Sequence, residues 1–163
     1  MKRILVIGYG NADRQDDGVA WHILVAIAQK LGLESPKEPG EVFESTKDGI
    51  DLIFNLQLFP ELADTILEFD FVFFIDAHTG QIEEEIAFSE IKPKSMNSPF
   101  THHLSPQMLL AITQTIFSKV PKAFLLSVRG YYFKFERSLS PQTEALKIQA
   151  ADILWQKLSE IIG

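Results

Sequence analysis

The sequence has 163 residues, of which 46% are hydrophobic and 23% charged, so it is long enough for one domain with a substantial core. The 22 acidic and 15 basic residues give a net charge of −7, which argues against a general nucleic-acid or anionic-membrane surface. There is no cysteine, which excludes disulfides, thiolate nucleophiles and thiolate metal sites. Any metal must therefore be held by histidine and carboxylates.

The N-terminus lacks the pattern of a signal peptide, because its apolar run is short and leads directly into a turn. The chain also lacks a run of about 18 apolar residues, the length that a membrane-spanning helix needs. We therefore expect a soluble, cytoplasmic protein that forms a single domain over residues 1–163.

The first half of the chain predicts strands that alternate with helices. Residues 3–8 are a short apolar run typical of a buried strand, and a glycine turn follows at residues 8–11. Asp16 and Asp17 are both candidates for the N-cap of a helix over residues 17–31. Further along, the patterns predict a short strand at residues 41–45 and a second main strand at residues 51–58. A second helix is predicted to start at Pro60.

The second half continues the alternation. A continuous apolar run at residues 71–75 predicts a central strand that is covered on both faces. Ser105 is expected to cap a helix that ends at Phe117, and residues 140–142 are expected to start a last helix that ends at about residue 161. Two further strands are predicted, a more exposed one at residues 85–91 and a buried one at residues 123–128 that continues in amphipathic form over residues 129–135.

Together these elements predict an α/β fold in three layers, with a twisted, mostly parallel sheet flanked by helices on both faces. Functional sites in such folds lie beyond the carboxyl ends of the strands, where the helices begin. Asp17, Asp76 and His102 each fall at or just after such an end. We therefore expect these three side chains to converge.

The glycine turn does not match a dinucleotide-binding loop. That loop has a third glycine or alanine three residues after the second, where this chain has Asp13. Asp13, Asp16 and Asp17 would also repel a phosphate, and the tight turn by itself explains both glycines. One carboxylate is enough to cap the helix that follows, which leaves the second free to point across the edge of the sheet.

A divalent metal fits the remaining polar residues. Asp76 ends an apolar strand, and a carboxylate buried there must be paired, hydrated or metal-bound. His102 and His103 can supply imidazole, although such a pair alone also fits an exposed loop. His22 is better explained as a packed helix residue, and His78 as a residue that supports a turn. Two carboxylates and one imidazole with open positions suit nickel or zinc.

Four short motifs, taken in this order, resemble the nickel–iron hydrogenase maturation endopeptidases. They are a GxGN turn, an R-x-D-D-G segment, an I-D-A strand end and an H-x-L-S-P helix start, at residues 8–11, 14–18, 75–77 and 102–106. The resemblance covers nearly the whole chain. It implies a twisted sheet between helices and an enzyme that removes the C-terminal extension of a hydrogenase large-subunit precursor after nickel insertion.

The resemblance also implies the site residues. By motif, the metal contacts of the family fall on Asp17, Asp76 and His102. Asp17 is favoured over Asp16 because the family uses the second residue of its acidic pair, and His102 is favoured over His103 because it stands two residues before the leucine. Nickel is expected to arrive with the substrate, and zinc or cadmium can take its place. Asp16 is expected to act as a partner of the site or as a base.

Residues 55–59 replace a glycine–threonine segment of several family members, so the substrate contacts of that segment do not transfer to this chain. The peptide bond is expected to be attacked by a metal-activated water, or by a water that a carboxylate deprotonates beside a metal used for recognition. Two other functions compete with the protease. One is a non-catalytic, chaperone-like nickel-binding partner of the precursor, and the other is a phosphate- or nucleotide-binding enzyme.

Overall fold

The structure is a computed structural model that describes residues 1–46, 48–95 and 103–163. The strands of the described part are β1 Ile4–Tyr9, β2 Ile50–Asn55, β3 Phe71–His78, β4 Ile86–Ile91 and β5 Lys122–Arg129. Its helices are α1 Val19–Lys30, α2 Leu62–Ile66, α3 Pro106–Phe117 and α4 Pro141–Ile162. A single 3₁₀ turn, Gln15–Gly18, lies between β1 and α1.

The five strands form one mostly parallel sheet in the order β2-β1-β3-β5-β4. Strands β1, β2, β3 and β5 run parallel, and β4 pairs antiparallel with β5 at one edge. Gly8 of β1 pairs with Ile75 of β3, and Asp76 pairs with Ser127 of β5. The carboxyl ends of three neighbouring strands therefore meet at one edge of the sheet.

Helices cover both faces of this sheet, which confirms the predicted three-layer α/β fold. Side chains alternate between the faces of a strand, so neighbouring residues enter different cores. Phe73 packs into a core under α1 and α4, whereas Phe74 packs into a second core under α2 and α3, and both rings are fully buried. None of the helices in the described part is long and apolar enough to cross a membrane.

The short strand predicted at residues 41–45 is absent, and the prediction is wrong. Phe43 does bury its ring in the core under α1 and α4, with 6% of it exposed, while Val42 is 89% exposed. The alternation of buried and exposed side chains that suggested a strand is therefore due to a single anchored side chain. Residues 41–45 form a loop that pairs with no strand of the described residues.

The prediction that the strand continues over residues 129–135 is also wrong, because β5 ends at Arg129. The backbone N–H groups of Tyr131 and Tyr132 donate to the carboxylate of Asp16 instead of to a neighbouring strand. A buried carboxylate far away in the sequence thus replaces the strand partner that the local pattern suggested.

Neither Asp16 nor Asp17 caps α1, contrary to the prediction. The N-cap position of α1 is Gly18, and no side chain donates or accepts a capping hydrogen bond there. The helix instead continues from the 3₁₀ turn, whose own N-cap, Arg14, also has no side-chain bond. Both carboxylates are therefore available for contacts outside the helix.

Candidate functional site

A cleft of about 860 Å³ opens at the carboxyl edge of the sheet, among the loops that follow β1, β2 and β3 and the beginning of α3. Asp17 and Asp76 both line this cleft, together with Tyr9, Asn11 and His103. The structure therefore brings together two of the three residues that were predicted to form the site.

The glycine turn positions Asp17. Gly10 has a φ of +143°, and a Cβ atom at this residue would lie 2.2 Å from the backbone oxygen of Asp17. Only glycine lets the turn approach the 3₁₀ turn this closely. The backbone N–H of Asn11 then donates to Oδ2 of Asp17 over 2.8 Å, which orients the carboxylate.

Two hydroxyl groups orient Asp76. The hydroxyl of Tyr9 donates to its Oδ2 over 2.7 Å, and the hydroxyl of Ser127 donates to its Oδ1 over 2.5 Å. Each oxygen keeps lone pairs for a further contact, because an ionised carboxylate offers about four acceptor sites. Asp76 is thus held in one orientation without being saturated.

The surroundings of Asp76 raise the pKa of its carboxyl. Burial raises the pKa of Asp76, and the hydrogen bonds from Ser127 and Tyr9 only partly offset this effect. A charge contribution from His78 also lowers the pKa of Asp76, and the nearby charge of Asp17 adds to its rise. Burial also raises the pKa of Tyr9, with a further contribution from Asp76, so Tyr9 stays a protonated donor.

Asp16 does not face the cleft. Its carboxylate is fully buried and accepts five hydrogen bonds, from the backbone N–H groups of Tyr131, Tyr132 and Ser140 and the hydroxyls of Ser140 and Thr143. Burial alone would raise the pKa of Asp16, but these hydrogen bonds outweigh it and hold the pKa below the usual range. Asp16 therefore joins the loop after β5 to α4, and it is not placed to act as the predicted base in the cleft.

The four histidines have different positions. His102, the predicted third ligand, lies outside the described residues, while His103 is exposed at the cleft. His78 supports a turn as expected, because its Nδ1 accepts a hydrogen bond from the backbone N–H of Gly80 over 3.2 Å. The Nε2 of His22 donates to the carbonyl oxygen of Arg137 over 3.0 Å, which agrees with a packed helix residue.

A divalent cation fits the donor set of the cleft. Residues 1–46, 48–95 and 103–163 contain no group of three His, Asp or Glu side chains that could by themselves hold a metal. They do supply two oriented carboxylates, and carboxylate with imidazole is a ligand set for nickel or zinc. A cation between Asp17 and Asp76 would also offset the repulsion between them. A phosphate fits poorly, because neither Lys nor Arg is among the described residues that line the cleft.

Sequence reasoning missed Tyr9 and Ser127. The signal for Ser127 is its position as the only polar residue within the apolar run at residues 123–128. Its pairing with Asp76 depends on the strand order β3-β5, which the sequence does not state. Tyr9 stands between two glycines that by themselves explain the turn, so nothing in the sequence indicates that its hydroxyl contacts Asp76.

No protein-family model matches this sequence, and no curated protein matches it. Solved structures resemble the chain over nearly its whole length. The hydrogenase maturating endopeptidase HybD from E. coli is 19% identical with a TM-score of 0.67, and the match covers 97% of this chain and 93% of that one. The [NiFe] hydrogenase maturation protease HycI from Thermococcus kodakarensis KOD1 is 19% identical with a TM-score of 0.63, and the match covers 99% and 92%.

An endopeptidase from Escherichia coli, whose structure was determined in solution, is 21% identical with a TM-score of 0.69. The match covers 97% of this chain and 93% of that one. Similarity at this level of identity shows the fold. The chain therefore has the fold of the hydrogenase maturation proteases, from its first strand to its last helix.

Proposed function

We propose that this protein is an endopeptidase that removes the C-terminal extension from the large-subunit precursor of a nickel–iron hydrogenase after nickel insertion. The observation that carries the proposal is the meeting of Asp17 and Asp76 in one cleft at the carboxyl edge of the sheet. A fold shared over 97% of the chain with a hydrogenase maturating endopeptidase supports it, as do the four motifs in the sequence.

Asp17, Asp76 and His102 are the residues that we expect to contact the nickel. In this proposal the ion belongs to the substrate, because it is already in the active site of the precursor when the protease acts. Cleavage would then depend on correct metal loading. Zinc or cadmium would fit the same oxygen and nitrogen donors.

Water is the expected nucleophile, because the chain has no cysteine and its sequence shows no Ser-His-Asp order of a catalytic triad. When bound, the ion would act as a Lewis acid or as a recognition element. The protein supplies oriented carboxylates, Asp17 held by the N–H of Asn11 and Asp76 held by the hydroxyls of Tyr9 and Ser127. As the water oxygen attacks the carbonyl carbon, its proton is taken up in the cleft and passes to the leaving amine while the C–N bond breaks.

The substitution Asp76→Asn tests the site. We expect it to slow processing of nickel-loaded precursor by at least about 100-fold, the scale of a lost acid–base or charge-stabilising group. The rate is read from the mass of the precursor over time. Asp64→Asn is the matched control, because Asp64 is an exposed aspartate of α2 outside the cleft, and it should leave the rate unchanged.

Asp17→Asn and His102→Ala should show the same loss as Asp76→Asn. If any of the three processes the precursor at the rate of the unmodified protein, that residue does not belong to the site. Calorimetric titration of nickel with the same variants shows separately whether their side chains contact the metal.

The same assay tests the non-catalytic alternative. A chaperone-like nickel-binding partner would form a complex with the precursor but leave its mass unchanged. In that case Asp76→Asn would weaken nickel binding, and neither the native chain nor the variant would process the precursor.

A further inference from the structure

We infer that the loop formed by residues 130–136, which follows β5, docks the folded part of the precursor, with Tyr132 and Phe135 as anchor side chains. The inference rests on the proposed function, because a protease that acts on a folded protein must contact more than the bond that it cleaves. This contact surface lies outside the cleft, on the loop after β5.

Tyr132 and Phe135 are exposed aromatic side chains. The side chain of Phe135 is 86% exposed and that of Tyr132 is 47% exposed. Single exposed apolar residues are ordinary, but aromatic residues grouped in one loop are characteristic of protein–protein interfaces, where they dominate the binding energy. The net charge of −7 argues against an anionic membrane as the partner.

The other two aromatic residues of the loop have partners within the protein. The hydroxyl of Tyr131 donates to Glu85, and the guanidinium of Arg129 lies 4.7 Å from the centre of its ring. The ring of Phe133 covers Gly130, where a Cβ atom would lie only 2.8 Å from it. Among the described residues, Tyr132 and Phe135 have no such aromatic or cationic partner. They are therefore the two rings available to a partner.

The loop backbone is ordered before any partner binds. Oδ2 of Asp16 accepts the N–H groups of Tyr131 and Tyr132 over 2.8 and 2.9 Å. The N–H of Lys134 donates to the side chain of Gln15, whose own N–H donates to the carbonyl of Glu136 over 2.8 Å. A pre-ordered loop loses little conformational freedom on binding, which favours affinity.

These hydrogen bonds join the loop to the cleft. Gln15 and Asp16 hold the loop, and the next residue, Asp17, lines the cleft. A protein bound to the loop would therefore be held in a defined position relative to the acidic pair. Binding energy from this remote contact could then be used to position the peptide bond.

The sheet order places exposed apolar residues on both sides of the acidic pair. The loop after β2 contributes Leu56, which is 65% exposed, and Phe59, which is 37% exposed, at the rim of the cleft. Strands β1 and β3, which lead to Asp17 and Asp76, lie between β2 and β5. A partner that covers both the β2 and the β5 loops spans the edge of the sheet, which fits a folded protein better than a short peptide.

The test compares Phe135→Ala and Tyr132→Ala with Ile148→Ala, a control on α4 whose side chain is 56% exposed. Affinity for the nickel-loaded precursor is measured in the Asp76→Asn background, and kcat/KM for cleavage is measured in the otherwise native chain. Each aromatic substitution should weaken binding and lower kcat/KM about tenfold, as at an interface hot spot, and the control should change neither by more than about twofold. The loop is held through backbone N–H groups, so the melting temperature should not change.

The outcomes separate this inference from the proposed function. If the native chain cleaves the precursor and Phe135→Ala behaves like Ile148→Ala, the docking surface is wrong and the protease stands. If the native chain binds the precursor without cleaving it and both aromatic variants weaken the complex, the docking surface stands and the protease is wrong. If the native chain neither binds nor cleaves the precursor, both are overturned.

Discussion

Asp16 and Asp17 are adjacent in the sequence but have different roles. Counted over the described residues, Asp17 lines the cleft and accepts one hydrogen bond, from the N–H of Asn11, whereas Asp16 is fully buried and accepts five. The 3₁₀ turn makes this division, because consecutive side chains in it point in different directions. The residue pattern alone left the roles of the two carboxylates open, and only the resemblance favoured Asp17 over Asp16. The structure shows that Asp17 lines the cleft and that Asp16 is buried.

The pH dependence of stability should report on Asp16. Because its pKa is lower in the folded protein than in the unfolded chain, Asp16 stabilises the fold above the unfolded pKa of about 4 and loses this contribution as the pH falls through the folded pKa. Asp16→Asn should lower the free energy of unfolding by about 3 kcal/mol at pH 7, since it leaves buried donors without an acceptor. Urea unfolding between pH 7 and pH 3 measures this.

The difference between the native chain and Asp16→Asn should narrow as the pH falls below about 4, because the Asp16 carboxyl then binds a proton in the unfolded chain before it does so in the folded protein. The exposed control Asp64→Asn should change the free energy of unfolding by less than about 0.5 kcal/mol at each pH. If the difference in the free energy of unfolding between the two proteins stays constant down to pH 3, Asp16 is not the source of the acid-sensitive stability.

At the scale of the elements, α3 and α4 begin in the same way. Ser105 accepts the N–H of Met108 over 3.1 Å, and Ser140 accepts the N–H of Thr143 over 3.3 Å, with a proline at the next position in each case. The cap at Ser105 and the start of α4 at residues 140–142 were predicted from the sequence and are confirmed. Ser140 has a further role, because its hydroxyl donates to Asp16 over 2.7 Å.

The two caps therefore form a matched pair for a stability measurement. Ser105→Ala should lower the free energy of unfolding by about 1 kcal/mol, the usual value of a lost N-cap. Ser140→Ala should lower it by about 3 kcal/mol, because it also removes a buried hydrogen bond to a charged carboxylate. Equal losses in denaturant unfolding would show that the bond between Ser140 and Asp16 contributes little.

The elements that were predicted incorrectly have a common cause. Residues 41–45 and residues 129–135 both show a strand-like alternation of apolar side chains. A strand also needs a partner for its backbone, and in the second segment the backbone N–H groups are taken by Asp16. Side-chain pattern alone does not reveal where backbone hydrogen bonds go.

At the scale of the whole molecule, one sheet separates two cores. Strands β1, β3 and β5 contribute side chains to both cores in alternation, so neither core can lose its packing without disturbing the sheet. This arrangement favours a single cooperative unfolding transition, and the single domain expected over residues 1–163 predicts the same.

The two tryptophans, Trp21 and Trp155, provide a test because both pack against the core under α1 and α4. Their fluorescence reports on one face of the sheet, whereas far-ultraviolet circular dichroism reports on all helices and strands. The two signals should give the same denaturation midpoint. Different midpoints would indicate that the two sides of the sheet unfold separately and that the chain is not one cooperative unit.

The sequence by itself determined the alternation of strands and helices, the starts of α3 and α4, and the position of the glycine turn, Asp17 and Asp76 at the carboxyl ends of strands. These features depend on local periodicity and on residue types with strong conformational preferences, which can be read without a partner. Only the tertiary structure decided that Tyr9 and Ser127 orient Asp76, that Asp16 belongs to the scaffold, and that residues 130–136 leave the sheet. Those contacts join residues up to 127 positions apart, from Asp16 to Thr143, and they follow from strand order and burial rather than from local pattern.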